Sequence, residues 1–458
     1  MKIRSGAIAL IVGCCLLPTM AEAGLLGFLW PQRPELASLP VPADVFANPA
    51  PGGGYVGWQR SDSAAIGGYE ITAATLLSSQ VLKVGADATS VRFDRLIPGW
   101  NYSISVRSLD ASGSRSRALA ATGLHVPRLT LTLRERAAFD RAADYSRSLG
   151  GNVVIVMRDG QVVYERRDNG YSGPSSSAIL PLASGSKSFS CALLTAAEQD
   201  GYLSREGKVA DTLTEWLGDP NKSQMTLAQL LGLQGGLSTN PAFKTSQTAT
   251  LDTYQLALDD PADHAPGSAF IYDPLAFQAF ALMFERASGG QDPVDYLQRR
   301  VLQPIGLVGD SWQRDLVGHP QIAGGASVAP ALWARYGQLM LQHGTWEGRR
   351  VLPAAPLADC LTRDNPAYRA YGLTWWLNRD VGDSYDAAVD LVPEDGIASP
   401  GSRIAPSAPA DMAMAAGVGH QRLYLLPSQR LVVVRMGPLL GELLDWSDEE
   451  FLATLLDF

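Results

Sequence analysis

Two side chains near the middle of the 458-residue sequence have the types and the spacing of a nucleophile and its base. Ser184 and Lys187 lie three residues apart at the start of an apolar helical pattern that ends at Gly201. Residues i and i+3 share one helix face with Cβ atoms roughly 5–6 Å apart, so the amine can reach the hydroxyl. A lysine can act as the base of a serine when burial, another cation or a helix N-terminus lowers its pKa. The pair therefore predicts covalent catalysis on a carbonyl, although S-x-x-K also occurs by chance as an ordinary helix start.

The elements around the pair would hold it at the edge of a hydrophobic core. Phe189, Leu193 and Ala196 recur at helical spacing and would anchor the helix, which leaves its first turn at the rim. Upstream, RERAAFDRAADYSRSLGG predicts an amphipathic helix that ends at Gly150. The next segment, NVVIVMRDGQVVYERR, predicts a hairpin with an Asp-Gly turn.

Two later segments could complete a site. PGSAFIYDPLAFQAF places Tyr272 shortly before an apolar helix, with Pro274 in its first turn, where the fixed φ of proline is favourable. DMAMAAGVGHQRLYLLPSQRLVVVRMG predicts two antiparallel strands joined by a Pro-Ser turn. Gly417, Gly419 and His420 are pocket candidates in this segment, and we interpret the histidine as a turn or pocket-rim residue rather than a catalytic base.

Together these segments resemble one clan of serine hydrolases. LASGSKSFS, the Pro-Gly-x4-Tyr segment and the later Ala-Ala-Gly are similar to class C β-lactamases, penicillin-binding proteins and esterases, and closest in motif to 6-aminohexanoate-dimer hydrolases. The resemblance covers about residues 129–458 and implies an α/β, β-lactamase-like domain built from an antiparallel sheet and a helical domain. It implies that Tyr272 exchanges the proton of Ser184 and that backbone N–H groups at Ser184 and Val418 hold the oxyanion. It implies no cofactor and no metal.

The sequence departs from the β-lactamase pattern at two positions. Pro274 stands where those enzymes have asparagine, and Ala415 stands where their third motif has a basic residue. Both departures favour the esterases and 6-aminohexanoate-dimer hydrolases of the clan over the true β-lactamases. Trp375 is a further pocket candidate, although packing is the commoner role both for it and for the adjacent Trp376.

Residues 41–124 have a different pattern, in which short strands alternate with turn clusters, and they predict an all-β sandwich. Tyr102, Ile104 and Val106 alternate with polar residues and would point into its core. Together with Trp58 and Tyr69, they resemble a fibronectin type III module. The resemblance gives this unit no partner and no role, and Trp58 is expected in its core.

Residues 1–23 predict a secretory signal peptide, because Lys2 and Arg4 precede an apolar run and Ala21-Glu22-Ala23 offers small residues for cleavage. The run is shorter than the ~20 residues that a membrane span needs. A lipoprotein acylated at Cys14 is the alternative. The Pro- and Leu-rich residues 24–40 predict a linker. The mature protein would be periplasmic or extracellular.

Charge and cysteine content narrow the function classes. The net charge of -9 offers no basic stripe for phosphates and argues against nucleic acid. Cys191 and Cys360 remain after cleavage and could pair in an oxidising compartment, but the place of Cys191 inside a helix favours a buried free thiol. Zinc-ligand spacing is absent from the scattered histidines, which are His125, His264, His319 and His343.

The sequence thus predicts an exported two-domain protein that hydrolyses an ester or a linear amide through an acyl-enzyme on Ser184. Two alternatives stay open. One is a β-lactamase or a peptidase of D-amino-acid cell-wall peptides. The other is a binding or scaffolding protein whose hydrolase fold has lost activity.

Overall fold

The computed structural model describes residues 39–121, 123–238, 252–381, 402–439 and 445–458. The predicted signal peptide, residues 1–23, and residues 24–38 of the predicted linker lie outside these ranges. None of the helices within the described ranges is long and apolar enough to cross a membrane.

The N-terminal unit is an antiparallel two-sheet structure close to the predicted 41–124. One sheet has the order β1-β2-β5 and the other β4-β3-β6-β7, with β8 paired to β6. The strands are β1 (Ala43–Ala50), β2 (Gly53–Gln59), β3 (Gly68–Ala74), β4 (Ser79–Gly85), β5 (Ser90–Asp94), β6 (Asn101–Leu109), β7 (Leu119–Ala120) and β8 (Leu124–His125).

The predicted core of this unit is confirmed. Tyr102, Ile104 and Val106 are buried on β6 while Ser103 is exposed, because successive side chains of a strand face opposite sides of the sheet. Trp58 is buried, with its ring 5.2 Å from that of Tyr69. The all-β architecture is therefore as predicted, and the fibronectin type III identity stays a prediction.

The C-terminal unit combines a six-stranded antiparallel sheet, in the order β10-β9-β19-β18-β17-β16, with a helical region. Its strands are β9 (Val153–Arg158), β10 (Gln161–Arg167), β11 (Leu180–Pro181), β12 (Ser311–Trp312), β13 (Ala326–Val328), β14 (Thr345–Trp346), β15 (Arg349–Arg350), β16 (Trp376–Leu377), β17 (Ala413–Gly417), β18 (Gln421–Leu426) and β19 (Leu431–Met436). Its helices are α1 (Leu133–Ser148), α2 (Phe189–Gln199), α3 (Leu227–Leu231), α4 (Thr253–Leu258), α5 (Pro274–Ala287), α6 (Pro293–Leu297), α7 (Pro330–Leu341), α8 (Ala354–Thr362) and α9 (Asp448–Leu455).

Helices cover both faces of the large sheet. Gly337 of α7 approaches so closely that a Cβ there would lie 2.7 Å from Val432 and 2.9 Å from Leu423. On the opposite face, Tyr424 of β18 donates a hydrogen bond to Asp448 of α9. The segment predicted as two strands forms three, because the chain turns at residues 418–420 as well as at the Pro-Ser turn.

A disulfide ties α2 to α8, and the expectation of a free thiol at Cys191 is wrong. Cys191 pairs with Cys360, which lies 169 residues later, at a Cα–Cα distance of 6.2 Å. Arg205 reinforces the same junction by bonding Glu198 of α2 and Asp359 of α8. A covalent bond and ion pairs therefore both attach α2, the helix that follows the S-x-x-K motif, to α8.

The two units contact each other through polar side chains. The buried Asn48 of β1 donates to Thr345 Oγ1 at 2.7 Å and accepts from the Gly348 amide at 3.1 Å. Beside it, Arg350 binds both carboxylate oxygens of Asp44. The tight turn between β14 and β15 thus lies against the N-terminal unit.

Candidate active site

Ser184 lies in a 3-10 turn, Ala183–Ser188, that leads into α2. The side chain is only partly buried, so a substrate can reach it. Ala183 has a φ of 46°, in the left-handed region that costs a non-glycine residue free energy. Ser186 holds the turn, since its hydroxyl donates to the Ala183 carbonyl at 2.7 Å and accepts from the Ala326 amide at 3.0 Å. The strained turn therefore presents Ser184 at the rim of the core.

Lys187 has the environment of a general base. Its side chain is buried, and Nζ donates to Ser184 Oγ at 2.9 Å and to the Ala323 carbonyl at 2.9 Å. Burial lowers the pKa of Lys187 to about 7, and the negative charge of Asp273 opposes that shift. About half of the molecules therefore carry a neutral amine at neutral pH, where an ordinary lysine is almost wholly charged.

Tyr272 completes the group around the nucleophile. Its ring centroid lies 4.9 Å from Lys187 Nζ. Burial raises the pKa of Tyr272 to about 12, while the Ser184 side chain and the charge of Arg422 act in the opposite direction. The tyrosine thus stays protonated at neutral pH and can donate a proton.

Aromatic rings back Tyr272. Trp376 stacks on it with centroids 5.6 Å apart, and Tyr371 packs edge-on against the same indole at 5.0 Å. Trp375 is fully buried, and its ring stacks instead on Tyr336 of α7. The indole beside Tyr272 is therefore that of Trp376.

Asp273 is a site residue that the sequence reasoning missed. It is buried and caps α5, since its Oδ1 accepts from the Leu275 amide at 2.9 Å, and Pro274 occupies the first turn as predicted. Its other oxygen, Oδ2, has no hydrogen-bond partner among the described residues. An Asp-Pro pair at the start of a helix was the signal that could have indicated a capping carboxylate here.

The glycine-rich turn after β17 lies against the nucleophile. A Cβ on Gly417 would lie 2.0 Å from the Leu182 carbonyl oxygen and 3.0 Å from the Gly185 nitrogen, so only glycine fits. Val418 follows in the turn and is partly exposed. The other two pocket candidates, Gly419 and His420, are buried, and the His420 ring stacks on Trp446 at 5.7 Å.

Ala415 is buried on β17 and carries no charge. The cation closest to this position in the pairing pattern is Arg422, the β18 partner of Ala416. Arg422 is fully buried and already binds Asp448, with Nε at 2.9 Å from Oδ1. It is thus not accessible to a substrate in this structure.

A cluster of possible metal ligands lies elsewhere, where the sequence predicted none. The ligand atoms of Asp252, Asp315 and His319 lie within 4.8 Å of one another. Asp315 is occupied by hydrogen bonds from Thr253 and from the amides of Val317 and His319. These bonds give the cluster a structural role in joining the start of α4 to a later loop.

The fold is that of serine hydrolases with the β-lactamase fold, a class that includes esterases, amidases and penicillin-binding proteins. The chain belongs to the beta-lactamase family, which it matches over residues 134–437. No curated protein sequence matches the chain significantly.

Solved structures share the fold. A Bacillus anthracis protein named as a candidate 6-aminohexanoate-dimer hydrolase superposes with a TM-score of 0.54 at 18% identity, over 69% of this chain and 80% of that one. EstCE1, a hydrolase with promiscuous acyltransferase activity, gives 0.54 at 15% identity, over 71% and 99% of the two chains. A family VIII carboxylesterase gives 0.51 at 15% identity, over 67% and 92%. At these identities the similarity shows a common fold.

Proposed function

We propose that the protein is a serine hydrolase that forms an acyl-enzyme on Ser184, with Lys187 as the base and Tyr272 as the proton relay. One observation carries the proposal. The accessible Ser184 hydroxyl lies 2.9 Å from an amine whose pKa burial lowers to about 7. A base with a pKa near the working pH transfers protons most effectively.

The proton transfers of the proposed reaction follow from this geometry. Neutral Lys187 takes the proton of Ser184 as Oγ attacks the carbonyl carbon, and the carbonyl electrons move onto the oxygen. Backbone N–H groups of Ser184 and Val418 hold that oxyanion, a role supported by the close approach of Gly417 to the nucleophile's turn. As the C–O or C–N bond breaks, Tyr272 protonates the leaving group and recovers a proton from Lys187. Water then attacks the ester on Ser184 by the reverse proton path.

The substrate class is an uncharged ester or a linear amide. A β-lactamase of this clan contacts the acylamino group through asparagine and the carboxylate through a basic residue, and Pro274 and Ala415 supply neither contact. A charge-assisted hydrogen bond contributes about 1.5–3 kcal/mol, so loss of the basic residue alone should weaken binding of a penicillin's transition state by ~10–100-fold, and loss of both contacts by more. Arg422 does not compensate in the described structure, because it is fully buried and bound to Asp448.

Covalent labelling tests the proposed mechanism. A fluorophosphonate probe should label the wild-type protein, and peptide mapping should find the adduct on Ser184. The variant Ser184→Ala is the matched control, since removing one hydroxyl at a turn leaves the fold intact. Lack of labelling in a folded wild-type protein, or equal labelling of the variant, would contradict the mechanism and favour the scaffold alternative.

A kinetic comparison tests the substrate class. We expect kcat/KM for p-nitrophenyl butyrate to exceed that for nitrocefin, both measured near neutral pH. A nitrocefin value equal to or above the ester value would support the β-lactamase alternative. Release of D-alanine from a cell-wall peptide, without ester hydrolysis, would support the peptidase alternative.

We also propose that the protein is exported. The predicted signal peptide is the first argument, and the Cys191–Cys360 disulfide is the second, because disulfides persist in oxidising compartments. N-terminal sequencing of the mature protein should begin at Gly24. A protein that keeps Met1 and stays in a reducing compartment would contradict this localisation.

A further inference from the structure

Two buried arginines lie opposite each other in the large sheet. Arg422 on β18 and Arg435 on β19 are direct cross-strand partners, and both are fully buried. Like charges at opposite positions destabilise a sheet, and burial of any charge is costly unless it is paired and hydrogen-bonded. Packing alone would favour apolar residues at both positions. The presence of two buried arginines therefore has to be explained by the groups that they bind.

The guanidinium groups bind the turn that follows β17. Arg422 Nη1 donates to the carbonyls of Gly417 and Gln421, both at 3.2 Å. Arg435 Nη1 donates to the carbonyls of Gly419 at 2.8 Å and His420 at 3.0 Å. Most of the carbonyls in this short turn thus accept a hydrogen bond from a buried guanidinium group.

Both arginines are themselves anchored by the helices that cover their face of the sheet. Asp448, the first residue of α9, binds Arg422 through Nε at 2.9 Å and Nη2 at 3.3 Å. Arg435 donates to Ser146 Oγ of α1 at 3.2 Å and to the Leu149 carbonyl at 3.0 Å. The turn is therefore coupled to the helices that cover this face of the sheet.

The turn has a conformation that needs such support. His420 has a φ of 58°, in the left-handed region that a non-glycine residue adopts at a cost. A Cβ on Gly419 would lie 2.5 Å from the Pro438 carbonyl oxygen, so the backbone of the turn is held close to the segment just after β19. At its other end, Gly417 contacts the turn of the nucleophile. A shift of this turn would move the Val418 amide relative to Ser184.

We propose that Arg422 and Arg435 are positioning residues that fix the oxyanion-binding backbone at Gly417 and Val418, and that Asp448 orients Arg422 for this purpose. The inference rests on the proposed acyl-enzyme mechanism and extends it. The hydrogen bonds described above run from the arginines to the turn and to the helices that cover it. They act on the oxyanion through the carbonyls of the turn, because a donor must meet the oxyanion at hydrogen-bond distance in the transition state. The charge of Arg422 also lowers the pKa of Tyr272, but that effect bears equally on substrates that differ only in the atom that becomes the oxyanion.

The test compares an ester with the matching thionoester, in which sulfur replaces the carbonyl oxygen. Sulfur is a weak acceptor, so a well-placed oxyanion hole favours the oxygen compound. In Arg422→Met we expect kcat for the ester to fall by ~10–100-fold with little change in KM, because a 1 Å misplacement of a catalytic group can cost ~100-fold. The preference for the ester over the thionoester should shrink by a similar factor.

Two controls separate positioning from stability. Arg205→Met removes another buried ion pair, that of Arg205 with Glu198 and Asp359, and should leave the ester preference unchanged. The double variant Arg422→Met/Asp448→Asn removes both charges of the ion pair and keeps an acceptor oxygen for Tyr424 and Trp446, so no buried carboxylate is left without its cation, and this variant should lose the preference as well.

The outcomes are distinct. Wild-type activity with an unchanged ester preference in folded Arg422→Met and in the double variant overturns the positioning role and leaves the mechanism intact. Equal loss of preference in Arg205→Met also overturns it, since general destabilisation then explains the effect. Failure of a fluorophosphonate to label wild-type Ser184 overturns the mechanism and the inference together.

Discussion

Acidification below about pH 7 should protonate Lys187 and remove the base from Ser184. In the proposed mechanism the neutral amine is the active form, and burial lowers its pKa to about 7. At pH 6 about one molecule in ten keeps the neutral amine, and at pH 8 about nine in ten do. An ordinary lysine with a pKa of ~10.4 would be neutral in fewer than about one molecule in 1,000 at pH 7. Burial thus raises the competent fraction at neutral pH by about a thousandfold.

The substitution Asp273→Asn should move this transition to lower pH. The carboxylate of Asp273 favours the charged form of Lys187, and an asparagine removes that charge while it can still accept from the Leu275 amide. A lower pKa of the lysine leaves more neutral amine at each acidic pH. Asp252→Asn is the matched control, because Asp252 caps α4 in the same way and is not among the charges that act on Lys187.

The assay is kcat/KM for p-nitrophenyl butyrate between about pH 5.5 and 9, corrected for spontaneous hydrolysis, with circular dichroism at each pH to confirm folding. A free-enzyme group appears directly in the pH profile of kcat/KM. The wild type should rise about tenfold per unit below pH 7 and level off above it. A flat profile between pH 6 and 8, a midpoint near 10, or an upward shift in Asp273→Asn would refute the role of Lys187 as a buried base.

Three further outcomes follow from the same structure. Lys187→Met should abolish turnover. It should also raise the free energy of unfolding at pH 7, measured by urea denaturation, by at most about 4–5 kcal/mol, because folding depresses the pKa of Lys187 and so penalises its charged form. The unfolded chain then binds a proton that the folded chain releases, so the gain should be full below about pH 7 and vanish toward pH 10; an equal gain at both would contradict this sign. The double variant Cys191→Ala/Cys360→Ala should lose roughly 2–5 kcal/mol of stability while the remaining folded protein keeps its kcat, and a change in kcat would count against a purely structural disulfide. The fragment 129–458 should hydrolyse small esters but melt at a lower temperature than the full chain, since it loses the buried bonds of Asn48, and a folded but inactive fragment would mean that the N-terminal unit contributes to the site.

The local part of the site could be predicted from the sequence. Ser184 and Lys187 share one turn, so their spacing alone sets their distance, and Tyr272 is marked by the Pro-Gly pair before it and the helix after it. The environment could not be predicted in the same way. The pKa of Lys187 depends on what buries it, and that includes Ala323, which lies 136 residues later in the chain.

Contacts between residues far apart in the sequence were the features that could least be predicted. The bond between Cys191 and Cys360 spans 169 residues, and no local pattern indicates such a pair. Arginine is mostly exposed in proteins, so the sequence did not indicate that Arg422 and Arg435 are buried. They are buried because α1 and α9 cover that face, a property of the assembled domain rather than of β18 or β19.

The departures from good local structure are themselves informative. Ala183 and His420 both have a left-handed backbone without being glycine, and Lys187 is a buried amine without a carboxylate hydrogen bond among the described contacts. Asp159 and Arg430 have positive φ as well and, like His420, lie in turns between strands, where this conformation is common. What distinguishes Ala183 and His420 is that the turns on which they lie contact each other through Gly417. Strain and a desolvated amine each reduce stability, so their convergence on one accessible serine is a physical argument for catalysis that is independent of any motif.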